Sequence, residues 1–160
     1  MKWDKLCPFA AVQEENYVIK ILFVCHGNIC RSPMAEFIMK ELAGRAGRQE
    51  DFIIDSAATS AEELGNDMYP PAKKMLQEKG IPFTRRAARQ IRRGDYEYYD
   101  YIIGLDSYNI RNLESFFNGD PEGKISMLLG RPVADPWYTG DFETTYEDLI
   151  EGCGRLLERL

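Results

Sequence analysis

The chain has one histidine, His26, and four cysteines in 160 residues. A His-rich metal centre is therefore out of reach. Cys25 and Cys30 fall within the loose spacing of a zinc knuckle, but no second close Cys or His pair exists to complete a tetrahedral set, so no metal ligands are assigned. The four cysteines do not look like the framework of a small disulfide-stapled secreted domain. No apolar run approaches the roughly 20 residues of a membrane span, and the N-terminus lacks the charged-then-apolar order of a signal peptide. The expectation is a cytoplasmic protein with no membrane partner. Positive charge is also in deficit: 20 Lys and Arg against 26 Asp and Glu leave a net charge of −6, which disfavours generic nucleic-acid binding. There is no G-x-x-x-x-G-K-[ST] string, hence no nucleotide-binding P-loop, and there are no repeats, long linkers or low-complexity tracts.

The segments that are present alternate. Strand-like runs near 18–24, 52–56, 100–105 and 124–128 are separated by helix-like stretches near 32–46, 70–79, 107–118 and 144–159. The last helix carries Tyr146, Leu149, Ile150, Cys153, Leu156, Leu157 and Leu160 on one stripe. This order predicts an α/β fold, an open parallel sheet with helices on both faces, in a single domain over 17–160. Residues 1–16 form an N-terminal extension with a few apolar residues, Trp3, Leu6 and Phe9. Cys7 and Cys153 read as structural, and Asp106, directly before a helix, reads as its N-cap, with Arg86 as a candidate partner.

Cys25-His26-Gly27-Asn28-Ile29-Cys30-Arg31-Ser32 lies between the buried-looking strand 18–24 and the helix that Ser32-Pro33 opens. Backbone N–H groups at a helix start lack intrahelical partners and sit at the positive end of the dipole, so a multi-oxygen anion such as phosphate is the natural occupant. Donors, dipole and a guanidinium together favour the thiolate form of a cysteine, which makes Cys25 the candidate nucleophile. Arg31, six positions on, can hold two phosphate oxygens in a bidentate fork, as Lys cannot. Gly27 permits close backbone approach, Asn28 tolerates a left-handed conformation, and Ser32 can donate its hydroxyl to the Cys25 sulfur. Ile29 and Cys30 complete the cradle. Cys30 is also placed to capture an oxidised Cys25 as a disulfide, which predicts a redox-sensitive site.

The string VCHGNICRSPMAE closely resembles the signature of the low-molecular-weight protein tyrosine phosphatases, and DPWYTGDFETTYEDL, from Asp135 onward, resembles the second signature of that family. The resemblance runs from about Ile19 to the C-terminus. It implies strand order 2-1-3-4, with the loop after strand 1 at the topological switch point. It also implies Cys25 as nucleophile, Arg31 as phosphate-binding residue, Asp135 as general acid, Trp137 and Tyr138 as an aromatic pair at the cleft mouth, and Ser56 as the brace of Asn28. The activity implied is hydrolysis of phosphotyrosine in a protein substrate through a phosphocysteine, with no cofactor and with inorganic phosphate as product and inhibitor.

Within that resemblance, protein arginine phosphatases are the nearest alternative. Members of that branch tend to carry threonine where this chain has Ile29, so the apolar side chain points back to phosphotyrosine. An arsenate reductase needs further cysteines, and none falls between Cys30 and Cys153. A non-catalytic phosphopeptide-binding module would dispense with Cys25, Arg31 or Asp135, and all three are present.

Departures from the family pattern are His26, expected at the cleft rim, Arg86 in place of a frequent histidine, Ala58 in place of a common glycine, and Glu62 in place of an aromatic wall residue. Arg85, Arg86, Arg89, Arg92 and Arg93 form a basic cluster. A solvated face paired with nearby acids is the plain expectation, and guidance of an acidic partner the alternative. Tyr96, Tyr98, Tyr99 and Tyr101 read as strand and core packing.

Overall fold

The computed structural model describes residues 17–160; the N-terminal extension and Cys7 lie outside them. Four parallel strands, β1 (Ile19–Cys25), β2 (Phe52–Ala58), β3 (Tyr101–Gly104) and β4 (Ile125–Met127), form one sheet in the order β2-β1-β3-β4. The expected order is the observed one. β1 is central because both of its faces are apolar: Ile21, Phe23 and Cys25 point to one core cluster, Leu22 and Val24 to the other. A strand buried on both faces reads as a continuous apolar run, which made it legible in sequence.

The first face is covered by α1 (Arg31–Arg45), α2 (Pro70–Glu78) and α6 (Phe142–Arg159), through Met34, Ile38, Ala72, Leu76, Leu149, Cys153 and Leu156. The second is covered by α4 (Ser107–Phe116) through Leu113, with Ile91 and Tyr99. Close approach has local causes. A Cβ on Gly104 would come within 2.8 Å of the Ile110 side chain, so the absence of a side chain at the end of β3 lets α4 begin directly under the sheet's C-terminal edge.

Two short helices, α3 (Asp95–Tyr98) and α5 (Pro136–Thr139), and a 3₁₀ turn at Gln49–Asp51 were not anticipated. Single turns lack the length that periodicity needs. Of the tyrosine cluster, Tyr101 opens β3 and Tyr99 is buried, donating its hydroxyl to Asp55 at 2.6 Å, whereas Tyr98 is exposed. The arginine cluster is also not the salt-bridged face expected. Among the described residues only Arg89 has a carboxylate partner, Asp95 at 3.0 Å.

Candidate active site

The chain leaves β1 at Cys25, the last residue in register with β2. The Cys25 and His26 carbonyls accept from the N–H groups of Thr59 and Ser60 at 2.9 and 3.1 Å, so the start of the loop is held by the segment after β2. Asn28 then takes φ +59°, the left-handed conformation its residue type allows. This reverses the chain, so that the Asn28 N–H points back at the Cys25 sulfur, 3.3 Å away. Cys30 occupies the position just before α1, without a side-chain capping bond, and Arg31 is already helical.

A chain of hydrogen bonds behind the loop has a defined direction. Glu36, one turn along α1 from Ser32 and paired with Lys40 at 2.6 Å, accepts the Ser56 hydroxyl at 2.7 Å. Ser56 must then accept from Asn28 Nδ2 at 2.9 Å, and the second Nδ2 hydrogen goes to Ser32 Oγ at 2.8 Å. Ser32 is left free to donate to Cys25 Sγ at 3.0 Å; the competing Ala57 carbonyl is farther, at 3.4 Å. The Asn28 amide cannot turn over without loss, because its Oδ1 accepts from Arg86 Nη2 and from the Arg89 N–H. A hydroxyl and an N–H therefore converge on one sulfur, both as donors. Ala58, where a glycine was the commoner residue, bonds through its backbone to Arg89 and Ile91, which carries that strand's edge up to the brace.

Arg31 is 3 % exposed. Its Nη1 donates to Asp106 Oδ2 at 2.7 Å and to the Val133 carbonyl at 2.9 Å, while Nη2 lies 3.4 Å from Asp135 Oδ2. Burial opposes its charge, but the Cys25 sulfur, Asp106 and Asp135 outweigh that effect, so its pKa lies above the ordinary arginine value. With Nη1 tied down, the Nε and Nη2 edge remains for an oxyanion. Asp106 caps α4 as expected, through Oδ1 and the Asn109 N–H at 2.7 Å, but its charged partner is Arg31 and not Arg86. Asp135 is extended (φ −78°, ψ 113°), and Pro136 starts α5, where the Trp137 N–H bonds back to Asp135 Oδ1 at 3.0 Å. This carboxylate is therefore held by a cap.

The cleft so formed has a volume of about 120 Å³ and is lined by Cys25, Arg31 and Asp135 together with Ile29, Cys30, His26, Glu62, Glu63, Trp137 and Tyr138. Trp137 and Tyr138 stand at its mouth, 52 and 82 % exposed, and Trp137 rests on Tyr69 with ring centroids 4.9 Å apart. His26 sits at the rim, its Nε2 3.0 Å from Glu62 Oε2.

The family model for low molecular weight phosphotyrosine protein phosphatases matches residues 20–160. The chain belongs to this family. It is 38 % identical over 147 residues to the low molecular weight protein-tyrosine-phosphatase YfkJ of Bacillus subtilis, covering 88 % of this chain and 94 % of the relative. It is 37 % identical over 155 residues to the human low molecular weight phosphotyrosine protein phosphatase, covering 91 and 98 %. Among solved structures, SP-PTP of Streptococcus pyogenes superposes with a TM-score of 0.84 at 40 % identity, covering 89 and 93 % of the two chains. A drosophila arginine phosphatase superposes with 0.79 at 32 %, covering 88 and 97 %.

The phosphatase cleft brings together Cys25, His26, Gly27, Ile29, Cys30, Arg31, Glu62, Asp135, Trp137 and Tyr138, while Asn28 and Ser32 are buried behind it with Ser56 as the brace. Around it stand residues that sequence reasoning passed over: Glu36 in the brace, Glu63 in the wall and Tyr69 beneath Trp137. Glu36 was detectable, since Ser32, Glu36 and Lys40 share a helical face. Glu63 forms part of the wall, its Cγ 3.4 Å from where a Cβ on Gly27 would lie, and carried no signal beyond adjacency to Glu62. Tyr69, beneath Trp137, likewise has none.

Proposed function

We propose that the protein is a protein tyrosine phosphatase acting through a phosphocysteine. The observation that carries this reading is the convergence on one cleft of a hydrogen-bonded Cys25 sulfur, an anchored Arg31 and a capped Asp135, with an aromatic pair at the mouth. Cys25 attacks phosphorus in line as the P–O bond to the phenol breaks, and Asp135 protonates the departing oxygen. Asp135, now a base, then takes a proton from the water that hydrolyses the phosphocysteine, and Ser32 stabilises the departing thiolate. The loop N–H groups and the free edge of Arg31 hold the equatorial oxygens, where charge must be neutralised in the transition state.

A phosphotyrosine ring fits beside Trp137 and Tyr138, with Ile29 as an apolar wall. The substrate is a phosphoprotein, and inorganic phosphate is both product and competitive inhibitor. Among the described residues no helix is long and apolar enough to cross a membrane. We place the enzyme in the cytoplasm because a reactive nucleophilic cysteine needs a reducing compartment.

The test is turnover of phosphotyrosine, phosphoserine and phosphoarginine peptides by the parent and by Cys25→Ser. The phosphotyrosine peptide is expected to be preferred. Cys25→Ser is expected to lose turnover while still binding phosphate in calorimetry. Undiminished turnover in Cys25→Ser would refute the assignment of nucleophile, and a preference for phosphoarginine would refute the assignment of substrate.

A further inference from the structure

Five arginines fall within nine residues, Arg85 to Arg93, on a chain of net charge −6. Arg86, Arg89 and Arg92 line a groove of about 350 Å³ with Glu36, Asp55, Ser56, Ala87 and Tyr99, and it shares no residue with the catalytic cleft. The acids near it are already engaged. Glu36 is paired with Lys40, Asp95 with Arg89, and Asp55 accepts from the neutral Tyr99 hydroxyl. Arg85, Arg86, Arg92 and Arg93 have no carboxylate partner among the described residues. In the lining, two unmatched cations, Arg86 and Arg92, thus stand against Asp55, with Arg85 and Arg93 adjacent to them in sequence. Three of them, Arg85, Arg92 and Arg93, are exposed. The fourth, Arg86, is half-buried, and burial lowers its pKa. Its guanidinium has five N–H donors, and it reaches only Asn28 Oδ1 and the Asn66 carbonyl. A desolvated cation with unused donors beside a groove favours an anionic occupant.

The polarity of the groove narrows the class of that occupant. Nucleic acid offers a continuous row of phosphates, which would meet Asp55 and Glu36 in the lining as well as the chain's overall negative charge. An acidic peptide offers both signs, with side-chain carboxylates for the arginines and backbone N–H groups for the acids. We propose that this groove docks an acidic polypeptide segment of a protein partner, its carboxylates on Arg86 and Arg92 with Arg85 and Arg93 flanking, and its backbone N–H groups on Asp55.

The probe is a fluorescein-labelled glutamate-rich peptide without phosphotyrosine, followed by polarisation at low and at physiological salt. Binding is expected at low salt, falling as salt rises, and persisting in saturating inorganic phosphate. The triple variant Arg85→Glu, Arg92→Glu, Arg93→Glu is expected to weaken binding by about tenfold or more. The milder Arg85→Gln, Arg93→Gln pair, at two exposed positions, should weaken it about threefold. Turnover of a small aryl phosphate checks that the variants are folded, because none of these side chains contacts Asn28 or lines the cleft. The peptide carries no phosphate, so its binding is read independently of the phosphatase assignment. Equal affinity in the parent and both variants would overturn the proposal, as would displacement by inorganic phosphate, or tighter binding of a single-stranded oligonucleotide of equal charge.

Discussion

Asp106 has two roles that substitution can separate. Its Oδ1 accepts the Asn109 N–H at 2.7 Å, capping α4, and its Oδ2 takes Arg31 Nη1 at 2.7 Å. In Asp106→Asn the amide oxygen can keep the cap, but the NH₂ group then faces a guanidinium donor, and the charge-assisted bond is lost. Such a bond contributes about 1.5–3 kcal/mol. Asp106 is partly exposed, and Arg31 keeps the Val133 carbonyl and Asp135, so about 2 kcal/mol is the appropriate figure. For a domain of this size that lowers Tm by about 4–8 °C. Asp106→Ala also removes the cap, about 1 kcal/mol more, for a total loss of about 6–12 °C. Because the same bond aims the free edge of Arg31 at the phosphate, both variants should raise KM for a small aryl phosphate and lower kcat/KM by up to about 10²-fold. Scanning calorimetry and steady-state kinetics on the two variants decide the matter. Parental Tm and kcat/KM in Asp106→Asn would refute the anchoring of Arg31, and equal Tm values for Asn and Ala would refute the cap.

Asp135→Ala should slow phosphotyrosine far more than an activated nitrophenyl ester, with removal of a general acid costing about 10²–10⁴-fold; an equal loss on both would mean Asp135 does not protonate the leaving group. Brief peroxide should inactivate the enzyme reversibly, Cys25 sulfenic acid condensing with Cys30 to a disulfide and water. Burial, then Cys25 and Asp135, push the Cys30 thiol up, so capture should quicken as pH rises. Mass spectrometry showing no Cys25–Cys30 disulfide, with full thiol rescue of Cys30→Ser, would overturn this. Asp67 loses solvation in the fold, but Lys73 and the N–H groups of Met68 and Arg86 overcome that and hold its carboxyl down at about 2, below the usual 3.9 or so of an unfolded chain. Its stabilisation is therefore complete above about pH 5 and lost as pH falls toward 2. The stability gap between the parent and Asp67→Asn should close over that range in acid titrations of Tm, and a gap independent of pH would contradict the assignment.

What was legible in the sequence divides by physical cause. β1 and α6 were readable because burial imposes a period, two-sided for the strand and 3.6 for the helix, and the phosphate loop was readable because its chemistry is compressed into eight consecutive residues. α3 and α5 were not, each being one turn held by a cap and its neighbours. Asp135 entered only through a resemblance, since nothing in an Asp-Pro pair announces that it will face a cysteine 110 positions earlier.

The pairing of Arg31 with Asp106 shows the limit most clearly. Sequence placed Asp106 correctly at the start of a helix, but offered Arg86, which stands in place of a frequent family histidine, as its candidate partner. The sheet decides otherwise. β3 lies beside β1 in parallel, with Val24 opposite Gly104, so both strands end at the same level. The next residues of each strand's exit, the cradle after β1 and the cap of α4 after β3, are thereby neighbours, and the missing Cβ of Gly104 lets α4 come close enough for Asp106 to reach Nη1. Arg86 reaches the loop from the other side, where residues 89–91 continue the edge of β2, and so meets the Asn28 amide. Strand order assigns each arginine its partner, and strand order was available only by analogy. A contact that depends on which strands are neighbours becomes readable only once the sheet is known, however plain the local role of each residue.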